Sequence, residues 1–71
     1  MTRKYIIRRY NQMLNKWQFL YIYPNGKDHW VDNTPATAHR FMTEGEAALC
    51  LNHGEKELNW TGTHVIEPIY E

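Results

Sequence analysis

Residues 16–26 read KWQFLYIYPNG, and this run decides the fold. Trp17, Phe19, Tyr21 and Tyr23 alternate with Gln18, Leu20 and Ile22, the period of two that sends successive side chains to opposite faces of a strand. Aromatic and β-branched side chains suit that pleated surface. Pro24 then fixes φ, and the Asn25-Gly26 pair accepts backbone angles that most residues resist, so the chain reverses here. The alternation predicts a central strand. It leaves open whether the aromatic face covers a helix or stays partly exposed.

Working outward, KYIIRRY (residues 4–10) reads as a first strand with Tyr5, Ile7 and Arg9 on one face and Lys4, Ile6, Arg8 and Tyr10 on the other. Beyond the turn, His29, Trp30 and Val31 make a short third strand, ended by Asp32, Asn33, Thr34 and Pro35. The sequence TEGE at 43–46 is a capping box: Thr43 can accept the amide of Glu46, and Glu44 and Glu46 sit where the helix dipole favours negative charge. The spacing predicts a helix of about ten residues, with Asn52, His53 and Gly54 closing it. Gly45 weakens its start, and EKELNW (55–60) reads either as a continuation past Gly54 or as a loop. HVIEPIY (64–70) is a last strand whose Pro68 cannot donate a ladder hydrogen bond, which points to a sheet edge or an interrupted strand end. The expected fold is α+β: a three-stranded meander, one short helix and a final strand (β-β-β-α-β), forming a single domain over residues 1–71.

Charge is segregated along the chain. Arg3, Lys4, Arg8, Arg9 and Lys16 precede any acid, whereas Glu44, Glu46, Glu55, Glu57, Glu67 and Glu71 crowd the other end against Lys56 alone. The formal net charge is zero, so the whole molecule has no long-range preference for a polyanion, but two faces of opposite sign are expected. The chain is 42% hydrophobic and 14% aromatic, which argues for folding rather than disorder. At 71 residues a single core leaves stability marginal, so a homodimer or a docked partner is an expected source of further burial. Cys50, the single cysteine, excludes an internal disulfide and fits a reducing compartment, with the cytoplasm as the default. No stretch of about 20 apolar residues and no signal-peptide core is present, so no membrane insertion is expected.

Little in the sequence points to chemistry. The histidines, His29, His39, His53 and His64, lie far apart and make no close metal-binding pair. Cys50 and His53 can share a helix face, yet a lone cysteine in an apolar stretch is ordinarily a small hydrophobe. No phosphate-cradling glycine loop or nucleophile elbow is present. The expectation is a non-enzymatic domain without cofactor or metal.

Binding is the better reading. Tyr, Trp and Arg dominate protein-interface hot spots because rigid rings bury large areas and guanidinium groups add directional hydrogen bonds. The candidate contact residues are Arg8, Arg9, Trp17, Tyr21 and Trp30; the same rings are equally suited to filling the small core. The alternative is nucleic-acid binding, with Arg3, Lys4, Arg8 and Arg9 on phosphates and nearby aromatics stacking on bases. Against it, Arg8 and Arg9 fall on opposite strand faces.

Taken together, YIIRRY, WQFLY, HWVDNTPATAHRF and TEGEAAL resemble the small, mostly uncharacterised proteins carried by bacteriophages and prophages, which combine a sheet with one helix. The resemblance implies a cytoplasmic accessory protein that modulates or inhibits a host protein, a defence enzyme included. It transfers no active residues.

Overall fold

The computed structural model describes residues 2–32 and 35–71; the expected end of the third strand at Asn33 and Thr34 lies outside them. Strands β1 (Arg3–Asn11), β2 (Lys16–Ile22), β3 (Asp28–Val31) and β4 (Thr63–Tyr70) form one sheet, with α1 (Glu44–Glu57) between β3 and β4 in the chain. The sheet order is β3-β2-β1-β4, every pairing antiparallel. The α+β fold and the central place of the aromatic strand are as the alternation requires. The Pro24-Asn25-Gly26 turn closes with Gly26 donating its amide to Tyr23 at 2.9 Å, and Gly26 takes the left-handed φ of 87° that favours glycine.

The edge position of Pro68 follows from the ladder. Thr2 and Glu71 exchange both backbone hydrogen bonds, at 2.7 and 3.0 Å, so alternate pairs toward the middle of the strand do likewise. Tyr5 and Pro68, which face each other, fall on the intervening rung, where amides point away from the partner strand. Tyr5 sends its amide to Phe41 O at 2.9 Å. Proline at this position loses only a donor aimed at the free edge.

Register sets the two faces. Arg9 opposes Gln18 and His64, and Ile7 opposes Ile66, so Tyr5, Ile7, Arg9, Gln18, Leu20, Ile22, Trp30 and His64 share one face. Helix α1 lies over it. Ile7, Leu20, Phe41 and Ala47 form the buried cluster, with Ile22, Trp30, Leu51, Trp60 and Ile66 packed around them. Full burial of Ile7 or Leu20 stabilises the fold by about 1.5–3 kcal/mol each. The segment leading into α1 is wedged between strands: Phe41 exchanges backbone bonds with Tyr5, and His39 donates to Leu20 O at 2.8 Å. β1 and β2 therefore pair only from Arg8–Phe19 to Asn11–Lys16.

Thr43 caps α1, its hydroxyl accepting from Glu46 N at 3.1 Å. The far end departs from the ten-residue expectation. The helix runs 14 residues, straight through Gly54. Gly54 is there because the Trp60 indole lies flat against it: a Cβ at this position would stand 2.1 Å from the ring. Leu58 N and Trp60 N both donate to Gly54 O at 3.1 Å, which folds the chain back onto the helix.

The two helix glycines should therefore respond oppositely to alanine. Gly54→Ala is expected to destabilise by about 1–3 kcal/mol through overpacking, despite its better helix propensity. Gly45→Ala, whose nearest neighbour would be Thr43 Oγ1 at 3.9 Å, should stabilise by up to about 1 kcal/mol. Urea denaturation of both variants checks this, and a stabilised Gly54→Ala protein would show that Trp60 is not seated on the helix.

Candidate functional site

The second face of the sheet is the one that α1 leaves uncovered. Arg8 opposes Phe19 and Val65, Tyr10 opposes Trp17, and Tyr21 opposes His29, so these side chains share that face with Lys4, Ile6, Val31, Glu67 and Ile69. The rings hold one another edge to face. Tyr10 meets Trp17 at 5.4 Å between centroids, Tyr21 meets Tyr23 at 4.9 Å, and Tyr23 meets His29 at 5.8 Å. Such pairs add about 0.5–1.5 kcal/mol beyond simple burial and fix the ring orientations.

Arg8 is the polar centre of this face. Its guanidinium carbon lies 4.3 Å from the Trp17 ring centroid, and Nη2 is 3.4 Å from Glu67 Oε1. Both side chains of the ion pair are about 30% exposed, so solvent leaves it a modest contribution. Its value is positional: the pair and the cation–π contact hold the guanidinium plane over the indole. Farther along, Arg40 reaches Glu71 with two parallel hydrogen bonds, 3.2 and 3.1 Å. Those bonds, with Lys4 adding a smaller attraction, hold the Glu71 carboxyl below its ordinary value.

Of the contact candidates taken from the sequence, Arg8, Trp17 and Tyr21 come together here. Arg9 and Trp30 lie on the helix-covered face. Arg9 stacks over Trp30 at 4.5 Å and donates Nε and Nη2 to Gln18 Oε1 at 3.2 and 3.0 Å. Gln18 is buried, and it also accepts from Asn11 and donates to Asp32, which pairs with Lys16 at 2.8 Å. This polar network ties β1, β2 and the end of β3 together where the helix no longer covers them. The protein-contact set read from the sequence left out Phe19, Tyr23, Val31 and Val65, although Phe19 and Tyr23 share the parity of Trp17 and Tyr21 and Phe19 is among the aromatics suited to stacking on bases.

Cys50 and His53 do converge, lining with Asp28 and Trp60 a cavity of about 240 Å³. Burial and the Asp28 carboxylate push the Cys50 thiol up, which keeps it protonated and a poor nucleophile at neutral pH. Among the described residues no three His, Cys, Asp or Glu side chains gather as metal ligands, and no helix is long and apolar enough to cross a membrane. No family model, curated protein or solved structure matches the chain significantly, so the surface stands on its geometry.

His64 is the buried titratable group beside the core. Its side chain is 3% exposed, packed against both the Trp30 and Trp60 rings, and neither nitrogen has a hydrogen-bond partner. Burial lowers its pKa, and nearby Arg9 lowers it further against the opposing pull of Glu55; burial lowers His39 too. The folded state thus favours both imidazoles neutral, while the unfolded chain takes up protons below the ordinary value of 6.5. Stability is full above that value and falls as the pH drops through it toward the depressed folded pKa. Asp32 and Glu71 have depressed pKa values, so their contribution fades only at lower pH, below ordinary values of 3.8 and 4.5. Denaturation midpoints measured from about pH 7.5 down to about pH 5 should decline, and His64→Phe should flatten the decline. An unchanged slope in that variant would remove His64 as its source.

Proposed function

We propose that this domain is a non-enzymatic protein-binding module and that its contact surface is the uncovered face of the sheet. One observation carries the reading: Tyr10, Trp17, Phe19, Tyr21 and Tyr23 share the face that α1 does not cover, with Arg8 held over Trp17 by Glu67. Aromatic and arginine side chains are the residues that concentrate binding energy at protein interfaces. Rings already fixed by their neighbours lose little conformational freedom when a partner docks.

Nucleic acid is the weaker reading. Arg8 already faces Glu67, and Arg40 and Lys4 face Glu71. A phosphate arriving there competes with a carboxylate at each cation, whereas a strand-tracking surface depends on uncompensated ones. The single cysteine suits a reducing compartment, and the reading assigns the module to the cytoplasm. The resemblance to phage accessory proteins rests on sequence residues alone. It would make the partner a host protein that this domain modulates or inhibits.

Tagged protein incubated with a cell lysate, with and without nuclease, tests the reading when paired with surface variants. Trp17→Ala and Tyr21→Ala should each weaken a nuclease-resistant, stoichiometric protein complex by about 1–2 kcal/mol or more, while Leu49→Glu on the exposed flank of α1 should not. Circular dichroism confirms that each variant keeps its fold. Equal recovery by the Trp17→Ala protein, or a complex that disappears with nuclease, overturns the proposal.

A further inference from the structure

We infer that Asn25 is a chemical modification site: its side-chain amide is lost without an enzyme, by ring closure onto the backbone nitrogen of Gly26, leaving aspartate or isoaspartate in the β2–β3 turn. The asparagines of the chain are Asn11, Asn15, Asn25, Asn33, Asn52 and Asn59, and Asn25 alone precedes a glycine. The reaction needs no partner, so it holds or fails independently of the contact surface proposed above.

Three features of the turn set the reaction up. The nucleophile is unobstructed: a side chain on the following residue would crowd attack by its own backbone nitrogen, Gly26 has none, and even a Cβ built there meets nothing within 4 Å. The electrophile is oriented. Asn25 Oδ1 accepts the amide of Lys27 at 3.0 Å, a turn closed by the side chain that spans the Gly26 peptide unit and polarises Cγ. The same N–H stabilises the negative charge that develops on Oδ1 as the ring closes. The turn can also open. Asn25, Gly26 and Lys27 are exposed, and two backbone bonds hold the loop, Gly26 N to Tyr23 O at 2.9 Å and Tyr23 N to Lys27 O at 2.8 Å. The first of these occupies the attacking nitrogen and must break before attack, an opening that at an exposed loop tip costs far less than unfolding the sheet.

The step balances with water as the sole co-reactant. Hydroxide removes the Gly26 amide proton, the nitrogen bonds to Asn25 Cγ, and the Cγ–Nδ2 bond breaks, Nδ2 taking up a proton and leaving as ammonia. Water then opens the succinimide ring at either carbonyl. One cleavage restores the ordinary backbone as aspartate; the other routes the backbone through the side chain as isoaspartate. No group is oxidised or reduced. Both products carry a new carboxylate, and isoaspartate also lengthens the main chain by a carbon, which the close pairing of Tyr23 with Gly26 and Lys27 does not accommodate. Ile22 pairs with Asp28 on the next rung, and Asp28 accepts from Trp60 Nε1. A loosened turn therefore reaches the residue that ties Trp60 to the sheet.

Folded protein held at neutral to mildly alkaline pH and body temperature tests this, read by mass spectrometry of the tryptic peptide spanning residues 17–27, whose one asparagine is Asn25. Relative to the unincubated sample, that peptide should gain the small mass of an NH2-to-OH exchange and separate into aspartyl and isoaspartyl forms. The conversion should quicken as the pH rises, because hydroxide removes the Gly26 proton, and peptides carrying the other asparagines should lag behind it. Asn25→Ser keeps a short side-chain acceptor for the Lys27 amide but has no amide to lose, and should show no such gain. The isoaspartyl fraction, separated by ion exchange, should unfold at a lower urea concentration than the starting protein. Conversion in urea without conversion in the folded protein would mean that the turn protects Asn25, and it overturns the inference. Earlier conversion at any other asparagine, or a mass gain at this peptide that persists in Asn25→Ser, overturns it as well.

Discussion

The contact between Trp60 and Gly54 organises the rest of the molecule. The indole needs a helix surface without a Cβ, and Gly54 supplies it. From that seat Trp60 reaches in two directions. Its Nε1 donates to Asp28 at 3.2 Å, at the start of edge strand β3, and its ring meets Trp30 of β3 and His64 of β4. One side chain thereby ties the end of α1 to both edges of the sheet. With α1 fixed across one face, the aromatic parity of β2 is left on the face opposite the helix. The short 3-10 turn Pro35–Thr37 also packs against β2.

The segregation of charge along the chain is undone by the same topology. The basic residues lie early and the acidic ones late, yet β1 pairs with β4 along its length, so the two populations become neighbours. Arg8 meets Glu67, and Lys4 lies near enough to attract the Glu71 carboxylate. The opposed faces expected from sequence do not arise on the uncovered side of the sheet. These pairs are exposed enough that their contribution to stability is small. Their effect on recognition is larger, since they turn a surface that looked basic in sequence into one that is nearly neutral.

The elements governed by local rules were legible in the sequence. Period-two alternation marked β1 and β2, Pro24-Asn25-Gly26 marked the reversal, Thr43 marked the helix start, and Pro68 marked an edge or a strand end. Features that depend on distant contacts were not. Gly54 reads locally as a helix stop, and only the ring arriving from Trp60 makes it an interior residue. The wedge at His39 and Phe41 has no local signature because its hydrogen bonds are to β1 and β2. Arg9 and Trp30 read as contact residues by type, but strand parity turns them toward the helix. Parity within β2 separated two sets of side chains without saying which one the helix would cover.

Ile6 shows what kind of surface the uncovered face is. It has no exposure at all, although α1 lies on the opposite face, so this face is already partly covered within the isolated domain. The face is therefore partly assembled before any partner arrives, and docking needs little rearrangement of its rings. Arg8 carries the same argument further. Its Nε is buried with no hydrogen-bond partner, and an unsatisfied buried donor is costly to leave unmade. The desolvation that usually opposes burying a guanidinium has thus been partly incurred in the isolated domain. Further burial of Arg8 in an interface therefore costs less than it would for the same residue on an open, hydrated strand.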